Sequence, residues 1–592
     1  MNINTISNKL ELTFDMHNHR DALIKISAPS QADINSINGI LYASFSYMNE
    51  KKRFSWEFEE GWDDGIDYVY NKACQTLPLG LIPRAVKYLK ESRPNLKINV
   101  SNSIRKIYSN PNGDITIDQV KTYANSLNIY NRIENVKITP YEHQLRLVQQ
   151  SLNRRRVSLL ACTSAGKSLS MYINVRYLTE VERKQVLVVV PSTNLVKQLF
   201  TDFQDDYGWE KARDSCTLIY GQSEDKLTTK QKAALKELNL GEEAILKPIT
   251  ISTWQSLQNK PPEFFDVFEA VMVDEAHGTR GAVLRDILGL CKNSTEFKIG
   301  LSGTLPDDGL DAAWIEGALG QKIVIVRLKE LIALGILTPV EIHTIKVPYE
   351  EKIRPYICKQ NYQSEYSLLT NNDSRKRVMD LLIKAKKITT DENTVMLYKN
   401  KGTLDEMYEY MKEAHPQFKY HIIKGEIDVN ERERIRKEME NGGGNIIIAT
   451  YGTMKQGVNI KLLHNLVFAE FSKSMYEVVQ SIGRIVRPHK DKKLARVFDI
   501  VDDASYTTKP RKGGFGKSKL NYGMKHYETR KFYYADDDIP VIELDLTGIY
   551  EATINVADVE KKKEAAKKRA AAKKSKKKST IKGKGSRSKF LN

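Results

Sequence analysis

The chain has 592 residues, 41% of them apolar, and its 92 Lys or Arg against 74 Asp or Glu give a net charge of +18. No apolar run approaches the roughly 20 residues of a membrane span, which excludes a membrane-spanning protein, and no membrane partner is expected. At roughly 100–200 residues per domain, the length implies about three or four domains with separate cores and excludes a small stapled scaffold.

The start, MNINTISNKLELTF, lacks the charged region, continuous apolar stretch and cleavage site of a secretory signal. The five cysteines, Cys74, Cys162, Cys216, Cys291 and Cys358, are odd in number and form no C-x-x-C pair. They indicate neither a disulfide framework nor a zinc site, so a cytoplasmic location is expected. Residues 1–130 are expected to form a small α+β accessory DNA-binding domain, with short strands at 42–47, 54–58 and 66–70 and a helix at 81–92. From 131 the pattern becomes apolar strands alternating with helical stretches, at 157–161, 186–190, 249–252, 271–273 and 298–301. A less regular charged stretch at 345–375 precedes a second set at 394–397, 420–423, 446–449, 466–469 and 495–498. The fold class expected is therefore α/β, with two tandem lobes, 131–340 and 341–505, each a parallel sheet wrapped by helices.

Residues 506–560 read as a C-terminal extension, opening with a mobile Lys/Gly-rich loop at 505–520. The last stretch, 561–592, holds fifteen Lys or Arg against the single acid Glu564, a net +14 that leaves only +4 on the other 560 residues. With almost nothing to bury, this tail is expected to be disordered when free and to seek a polyanion, becoming helical near 564–574 on its partner. It cannot read sequence.

The strand at 157–161 runs into Cys162-Thr163-Ser164-Ala165-Gly166-Lys167-Ser168, and a helical stretch follows at 169–178. Strand, loop and helix are the context a phosphate-binding loop requires. Backbone N–H groups of Thr163, Ser164, Ala165 and Gly166 would cradle phosphates, Lys167 would reach the β- and γ-phosphates, and Ser168 would help hold Mg²⁺. Ala161 stands where the consensus has its first Gly, which matters little if the backbone there is extended. A bare Gly-Lys-Ser/Thr triplet arises about 0.3 times by chance in such a chain, so the triplet alone is weak. Val271-Met272-Val273-Asp274-Glu275-Ala276-His277 strengthens it, because a buried strand delivers two acids at its carboxyl end, where ligands of open α/β sheets bind. Asp274 can hold Mg²⁺ and Glu275 can polarise the attacking water. Upstream, Tyr141 can stack on a base and Gln144 can make paired amide hydrogen bonds to it, although an ordinary helix start reads the same way. In the second lobe, Gln480-Ser481-Ile482-Gly483-Arg484-Ile485-Val486-Arg487 places two arginines three apart, on one helical face, able to point at one γ-phosphate.

These motifs, with Ser302-Gly303-Thr304 and residues 452–457, stand in the order and lobes of a superfamily 2 DNA helicase over roughly residues 135–503. Asn153-Arg154-Arg155-Arg156, Thr253-Trp254-Gln255, Gly425-Glu426-Ile427-Asp428, Gly61-Trp62-Asp63-Asp64-Gly65 and Leu77-Pro78-Leu79-Gly80-Leu81 extend the resemblance to the phage recombination helicases of that superfamily. The resemblance implies two RecA-like lobes using ATP and Mg²⁺. It assigns Ser192, Thr193, Thr253, Trp254, Lys399, Gly425 and Thr450 to the nucleic-acid backbone, and Ser302 and Thr304 to coupling hydrolysis to lobe movement. Gly457 and Gln480 would approach the nucleotide, Asn459 stands where relatives carry an acid near the ribose, and Arg487 would be the arginine finger with Arg484 beside it.

The implied activity is ATP-dependent remodelling of branched DNA: fork regression, Holliday-junction branch migration, R-loop and D-loop unwinding, and strand annealing. DNA, especially branched or forked, is the expected partner, with RNA–DNA hybrids beside it. The protein is expected to be a monomer, in the host bacterial cytoplasm if a phage encodes it, with recombination and single-strand-binding proteins as candidate partners. Two other readings stand beside this one: a duplex translocase that separates no strands, and a non-motor annealing protein whose nucleotide only switches conformation. Trp56 and Trp62 are candidates for a wedge, or else core residues.

Overall fold

The computed structural model describes residues 5–546 except 7–8, 50–51, 53–55, 111–112, 221–222, 225–245, 371–372, 426–428, 456–459 and 509–516. The Lys-rich tail, the core of the loop at 505–520, Gly457 and Asn459 therefore lie outside the described residues. The chain divides into two units, Met1–Leu337 and Thr338–Asn592.

The first unit opens with a five-stranded sheet. Strands β1 (Thr5–Ile6), β2 (Glu11–Met16) and β3 (Asp21–Ala28) are followed by a separate hairpin, β4 (Ser46–Met48) with β5 (Ile66–Tyr68). Strands β6 (Thr76–Pro78) and β7 (Lys97–Val100) complete the sheet, ordered β1-β3-β2-β7 with β6 on β3. Two expectations fail here. Residues 42–44 end the helix Gln31–Ser44, because Ser30 caps its start by accepting from Asp33 N at 3.1 Å and because Ile34, Ile37 and Leu41 bury one helical face. The stretch at 54–58, read as a strand, contains the start of a helical turn, Trp56–Glu59. The 3-10 turn Leu79–Leu81 and the helix Ile82–Ser92 fulfil the expected helix.

The boundary expected at 130 also moves. The helix Ile117–Ser126, started by a Thr116–Gln119 capping box, packs on the helix Glu142–Arg154, and Asn153 brackets the Ile115 backbone by accepting from its N–H at 2.7 Å and donating to its carbonyl at 2.9 Å. Residues from about 115 thus belong with the first lobe, as do the small ribbon strands β8 (Tyr130–Asn131) and β9 (Val136–Lys137) whose Arg132 N–H donates to Asp205 O. The amino-terminal sheet joins that lobe through Gly80, where a Cβ would come 1.8 Å from Glu316 O, and through the Arg84–Glu316 ion pair. Only glycine permits that approach.

The lobe itself is β10 (Arg156–Ala161), β11 (Val186–Val190), β12 (Cys216–Tyr220), β13 (Ser223–Glu224), β14 (Ile249–Thr253), β15 (Ala270–Asp274), β16 (Phe297–Ser302) and β17 (Lys322–Val326). Their order is β13-β12-β14-β11-β15-β16-β10-β17, parallel throughout except for β13. Strands β11, β14 and β16 are buried along their whole length, as a sheet covered on both faces requires.

The second unit has β18 (Val340–Pro348), β19 (Thr394–Tyr398), β20 (Lys419–Ile423), β21 (Asn445–Thr450), β22 (Asn465–Phe468) and β23 (Ala495–Asp503). A ribbon of β24 (Tyr506–Thr507) and β25 (Ser518–Lys519) flanks the undescribed loop, and β26 (Val541–Glu543) is the last strand. The parallel sheet is ordered β20-β21-β19-β22-β23-β18-β26. The stretch read as irregular, 345–375, contains the end of β18, residues 345–348, and the helices Arg354–Ile357 and Tyr362–Thr370. The supposed extension contributes β26 to the lobe's own sheet. The molecule is thus α/β, two tandem RecA-like lobes with a small α+β sheet at the amino end. Among the described residues no helix is long and apolar enough to cross a membrane.

Candidate nucleotide site and nucleic-acid edge

The sheet order explains why three separated motifs meet. Neighbours β15, β16 and β10 end, in that order, at Asp274, at Ser302 and at the loop after Ala161. Ala161 is the buried last residue of its strand, in register with Val326, so the extended backbone there dispenses with the consensus glycine. The loop then closes tightly: Ala165 N–H donates to Cys162 O at 3.2 Å, Ser164 adopts φ +69°, and Gly166 caps the helix Lys167–Glu180 at φ +77°. A Cβ at Gly166 would also come 2.1 Å from the Gln144 amide nitrogen. Lys167 Nζ donates to Ala161 O at 3.2 Å and Cys162 O at 3.4 Å, folding back over the loop.

Tyr141 and Gln144 lie beside this loop in unequal roles. Tyr141 is exposed and stacks on His143 at 5.7 Å, whereas Gln144 is buried, accepting from Tyr141 N–H and donating to Ala165 O at 3.1 Å. His143 Nε2 meets the same Ala165 carbonyl at 2.8 Å. Gln144 therefore both ties down the helix start, through the N–H of the capping residue Tyr141, and braces the phosphate loop, the second a role its sequence context did not reveal. Gln144→Ala is expected to loosen the loop and raise the KM for ATP about tenfold with little change in kcat, the effect of losing roughly 1–2 kcal/mol of hydrogen bonding. An ATP titration of the steady-state rate checks this, and an unchanged KM would show that the loop holds its shape unaided.

Burial, and after it the neighbouring Glu275 charge, push the Asp274 carboxyl up to about 7, while Lys167 acts in the opposite direction. Glu275 sits in the left-handed region at φ +54° and its N–H donates to Asp274 Oδ1 at 3.0 Å. Ser302 Oγ lies 3.4 Å from Glu275 Oε2, 3.3 Å from His277 Nδ1 and 2.7 Å from Thr304 O. A Cβ at Gly303 would come 2.9 Å from Thr163 Oγ1, so the Ser302–Thr304 turn presses on the phosphate loop. The residues fit a magnesium nucleotide: a loop backbone left uncovered by side chains at Gly166 and Gly303, where the packing leaves no room for a Cβ, a hydroxyl at Ser168 in the first helical turn, and a carboxylate at Asp274 near the Lys167 ammonium.

The nucleic-acid candidates also fall at carboxyl edges. Strands β11 and β14 are adjacent, which places Ser192 and Thr193 next to Thr253 and Trp254. Thr253 is buried and caps the turn Trp254–Leu257 by accepting from Ser256 N–H, while the Trp254 ring packs partly buried on the core. In the second unit the adjacent β20, β21 and β19 lead into Gly425, Thr450 and Lys399. Gly425 has φ +72°, and Thr450 and Thr453 exchange hydrogen bonds. Two features were missed. Buried Glu470, just beyond β22, accepts from the Lys399 and Asn400 N–H groups at 2.7 and 3.1 Å and so shapes that edge. Around it Lys399 and Lys473 lie over the Tyr362 ring at 5.6 and 5.4 Å, with Tyr522 and His526 alongside. Burial, then Arg530 and the three lysines 399, 473 and 525, push His526 down to about 4. Aromatic rings among lysines are what a nucleic-acid strand stacks and pairs with.

Arg484 and Arg487 do not share a helical face. The helix Met475–Ile485 ends with Val486 as its cap, so Arg487 lies beyond it, because Pro488 disfavours helical backbone in the residue before it. The Arg487 carbonyl instead accepts from Thr338 Oγ1 at 3.3 Å. Gln480 is buried within the helix and donates to the Tyr476 hydroxyl at 2.5 Å. Trp56 and Trp62 are 56% and 75% exposed and meet edge to face at 5.0 Å, so they are surface residues, but they stand among Glu57, Glu59, Glu60, Asp63 and Asp64.

Two RecA-like sheets, a phosphate loop, an acid pair and a Ser-Gly-Thr turn define a superfamily 2 helicase. Residues 130–307 match the family of the type III restriction enzyme res subunit, and residues 373–489 match the helicase conserved C-terminal domain. The ATP-dependent DNA helicase uvsW of Enterobacteria phage T4 is 30% identical over 499 residues, 83% of this chain and 92% of that protein. The chain belongs to the uvsW family of ATP-dependent DNA helicases. A DNA 3'-5' helicase XPB of Kineococcus radiotolerans is 23% identical over 43% of this chain and 45% of its own length. The crystal structure of T4 UvsW has a TM-score of 0.45 and 26% identity, covering 91% of this chain and 100% of that one.

Proposed function

We propose that this helicase remodels branched DNA, carrying out fork regression, Holliday-junction branch migration, R-loop and D-loop unwinding and strand annealing in recombination, repair and replication. The observation that carries a working motor is the meeting of Lys167, Glu275 and Ser302 at the carboxyl edge of one sheet. Kinship with uvsW and the +14 tail support the choice of DNA.

In this reading, the loop from Thr163 to Ser168 binds the ATP phosphates, Tyr141 stacks on the base with Gln144 beside it, and Gln480, Gly457 and Asn459 complete the nucleotide contacts. Ser168 and Asp274 hold Mg²⁺, which when bound neutralises charge on the phosphate oxygens. Glu275 orients a water and takes its proton as the water oxygen bonds to the γ-phosphorus. The bond to the β-phosphate oxygen breaks, leaving ADP and inorganic phosphate. Arg487 steadies the charge as the arginine finger, with Arg484 next to it. Ser302, tied to Glu275 and to the Thr304 backbone, passes the change onward. Ser192, Thr193, Thr253, Trp254, Lys399, Gly425 and Thr450 hold the phosphodiester without reading bases.

The test is ATPase rate without nucleic acid and with single strands, duplex, a four-way junction and an RNA–DNA hybrid, followed by strand separation on the same substrates. The junction is expected to stimulate most, and Lys167→Ala to abolish the effect. Duplex stimulation without strand separation would replace this reading with a translocase, and annealing that persists in Lys167→Ala without ATP would replace it with a non-motor protein. Removing residues 561–592 is expected to weaken DNA binding and flatten its salt dependence. An unchanged slope in a salt titration would show the tail to be idle.

A further inference from the structure

The motif Asn153-Arg154-Arg155-Arg156 is not absorbed by the motor. Asn153 holds the Ile115 backbone, and Arg155 pairs with Glu296 and lies over the Phe297 ring at 4.4 Å. Arg156 points elsewhere. It opens β10 at the amino end of the sheet, opposite the phosphate loop, in register with Lys298 on β16. Both are buried, at 3% and 1% exposure.

Each caps the end of a helix. Lys298 Nζ donates to Leu288 O at 2.6 Å, and Arg156 Nη2 donates to Ala318 O at 2.6 Å and Gly317 O at 3.3 Å. Helix carboxyl ends supply only partial negative charge. Two basic side chains are therefore short of counter-charge, and Arg156 Nε, on a side chain almost wholly buried, has no hydrogen-bond partner among the described residues. Burial, then the Arg156 charge, push Lys298 down to about 7, and no carboxylate contributes to it. Arg20 and Arg285 join these two around a cavity of about 50 Å³ whose lining holds one acid, Asp21. Arg20 is half exposed and only loosely paired with Asp286, at 3.7 Å, while Arg285 lies over the Trp314 ring at 4.4 Å. On a scale where one water needs roughly 10–15 Å³, this space suits one tetrahedral oxyanion and is too small for a nucleotide.

We propose that Arg20, Arg156, Arg285 and Lys298 form a binding site for a phosphate group, at the junction of the amino-terminal sheet and the first lobe and separate from the nucleotide loop. Four cationic donors around one concave space would give such a group charge-assisted hydrogen bonds on several oxygens at once. The group can be a free phosphate ion or one phosphate of a DNA backbone.

Calorimetric titration of the full chain with inorganic phosphate, at constant ionic strength in chloride, tests the site. A binding isotherm is expected to survive in Lys167→Ala, to weaken about tenfold in Arg20→Gln, whose side chain is too exposed to endanger folding, and to vanish in Lys298→Met. A thermal melt of Lys298→Met separates loss of the site from loss of the fold. A salt series of duplex binding distinguishes the sources. If the phosphate belongs to DNA, Arg20→Gln weakens duplex binding, lowers the salt slope by about one and inorganic phosphate competes. If it is a free ion, duplex binding is unchanged while the phosphate isotherm responds. Phosphate and duplex binding both indifferent to Arg20→Gln and Lys298→Met, or phosphate binding that disappears in Lys167→Ala alone, would overturn the assignment.

Discussion

Glu275→Gln is expected to bind ATP as tightly as the native chain and to hydrolyse it roughly 10²–10⁴-fold more slowly, the span general-base catalysis contributes. The loop of the phosphate cradle is shaped by Gly166, by Gln144 and by the Lys167 bonds to Ala161 and Cys162. Gln is the same size, tolerates the left-handed backbone no worse than Glu, and its amide can still meet Ser302 Oγ. What it cannot do is accept a proton. The exchange also removes the like charge beside Asp274, a contributor second only to burial in holding that carboxyl up, so metal binding is expected to gain. Fluorescent-nucleotide binding and steady-state ATPase, measured together, separate the two effects. Hydrolysis at the native rate would remove Glu275 from the role of water activator.

Where strands are covered on both faces, the sequence is easy to read. Val186–Val190 is five apolar residues in a row and forms a strand with those bounds, because a parallel sheet wrapped by helices asks every position to be apolar. The strand-end motifs follow from that, since Asp274, Ser302 and the phosphate loop terminate such strands. Edges are harder. Val340–Pro348 carries Glu341, His343 and Lys346 among its apolar residues, next to the edge strand β26, and is not read as a strand, its last part, 345–348, falling in the stretch read as irregular. Asp21–Ala28 shows a period-two signal, with Ala22, Ile24, Ile26 and Ala28 buried, but lacks the aromatic residues that mark a strand to the eye. The Trp56–Glu59 turn has those aromatics and is not a strand. Side-chain assignments that depend on distant partners were not legible at all: Gln144 bracing Ala165, Glu470 organising Lys399 and Asn400, and Arg156 beside Lys298 all need the strand order before they can be seen.

The carboxyl end of the second unit shows how much such long-range pairing decides. By composition the motor ends near 505, yet the helix Tyr522–Asp536 lies against β23 and inserts Arg530, 2% exposed, onto Asp499 with bonds of 2.9 and 2.8 Å. The Tyr534 hydroxyl donates to the same carboxylate at 3.0 Å. Three residues further along β23, Asp502 receives Arg375 at 2.6 and 2.5 Å and Tyr349 at 2.7 Å. Both acids are buried, so each relies on its arginine for charge compensation. Arg530→Met keeps much of the side-chain volume and strands Asp499, a change expected to cost about 3–5 kcal/mol of stability in the second unit. Met at 530 with Asn at 499 removes both charges and is expected to recover part of that loss, because the penalty belongs to the unpaired carboxylate and not to the missing attraction. Chemical denaturation of the full chain and its two variants measures both quantities. If Arg530→Met unfolds with the native midpoint, the helix is an appendage and the lobe does end near 505; if the midpoint falls as expected, truncation anywhere before 536 will unfold a lobe whose helicase motifs all lie upstream of the cut.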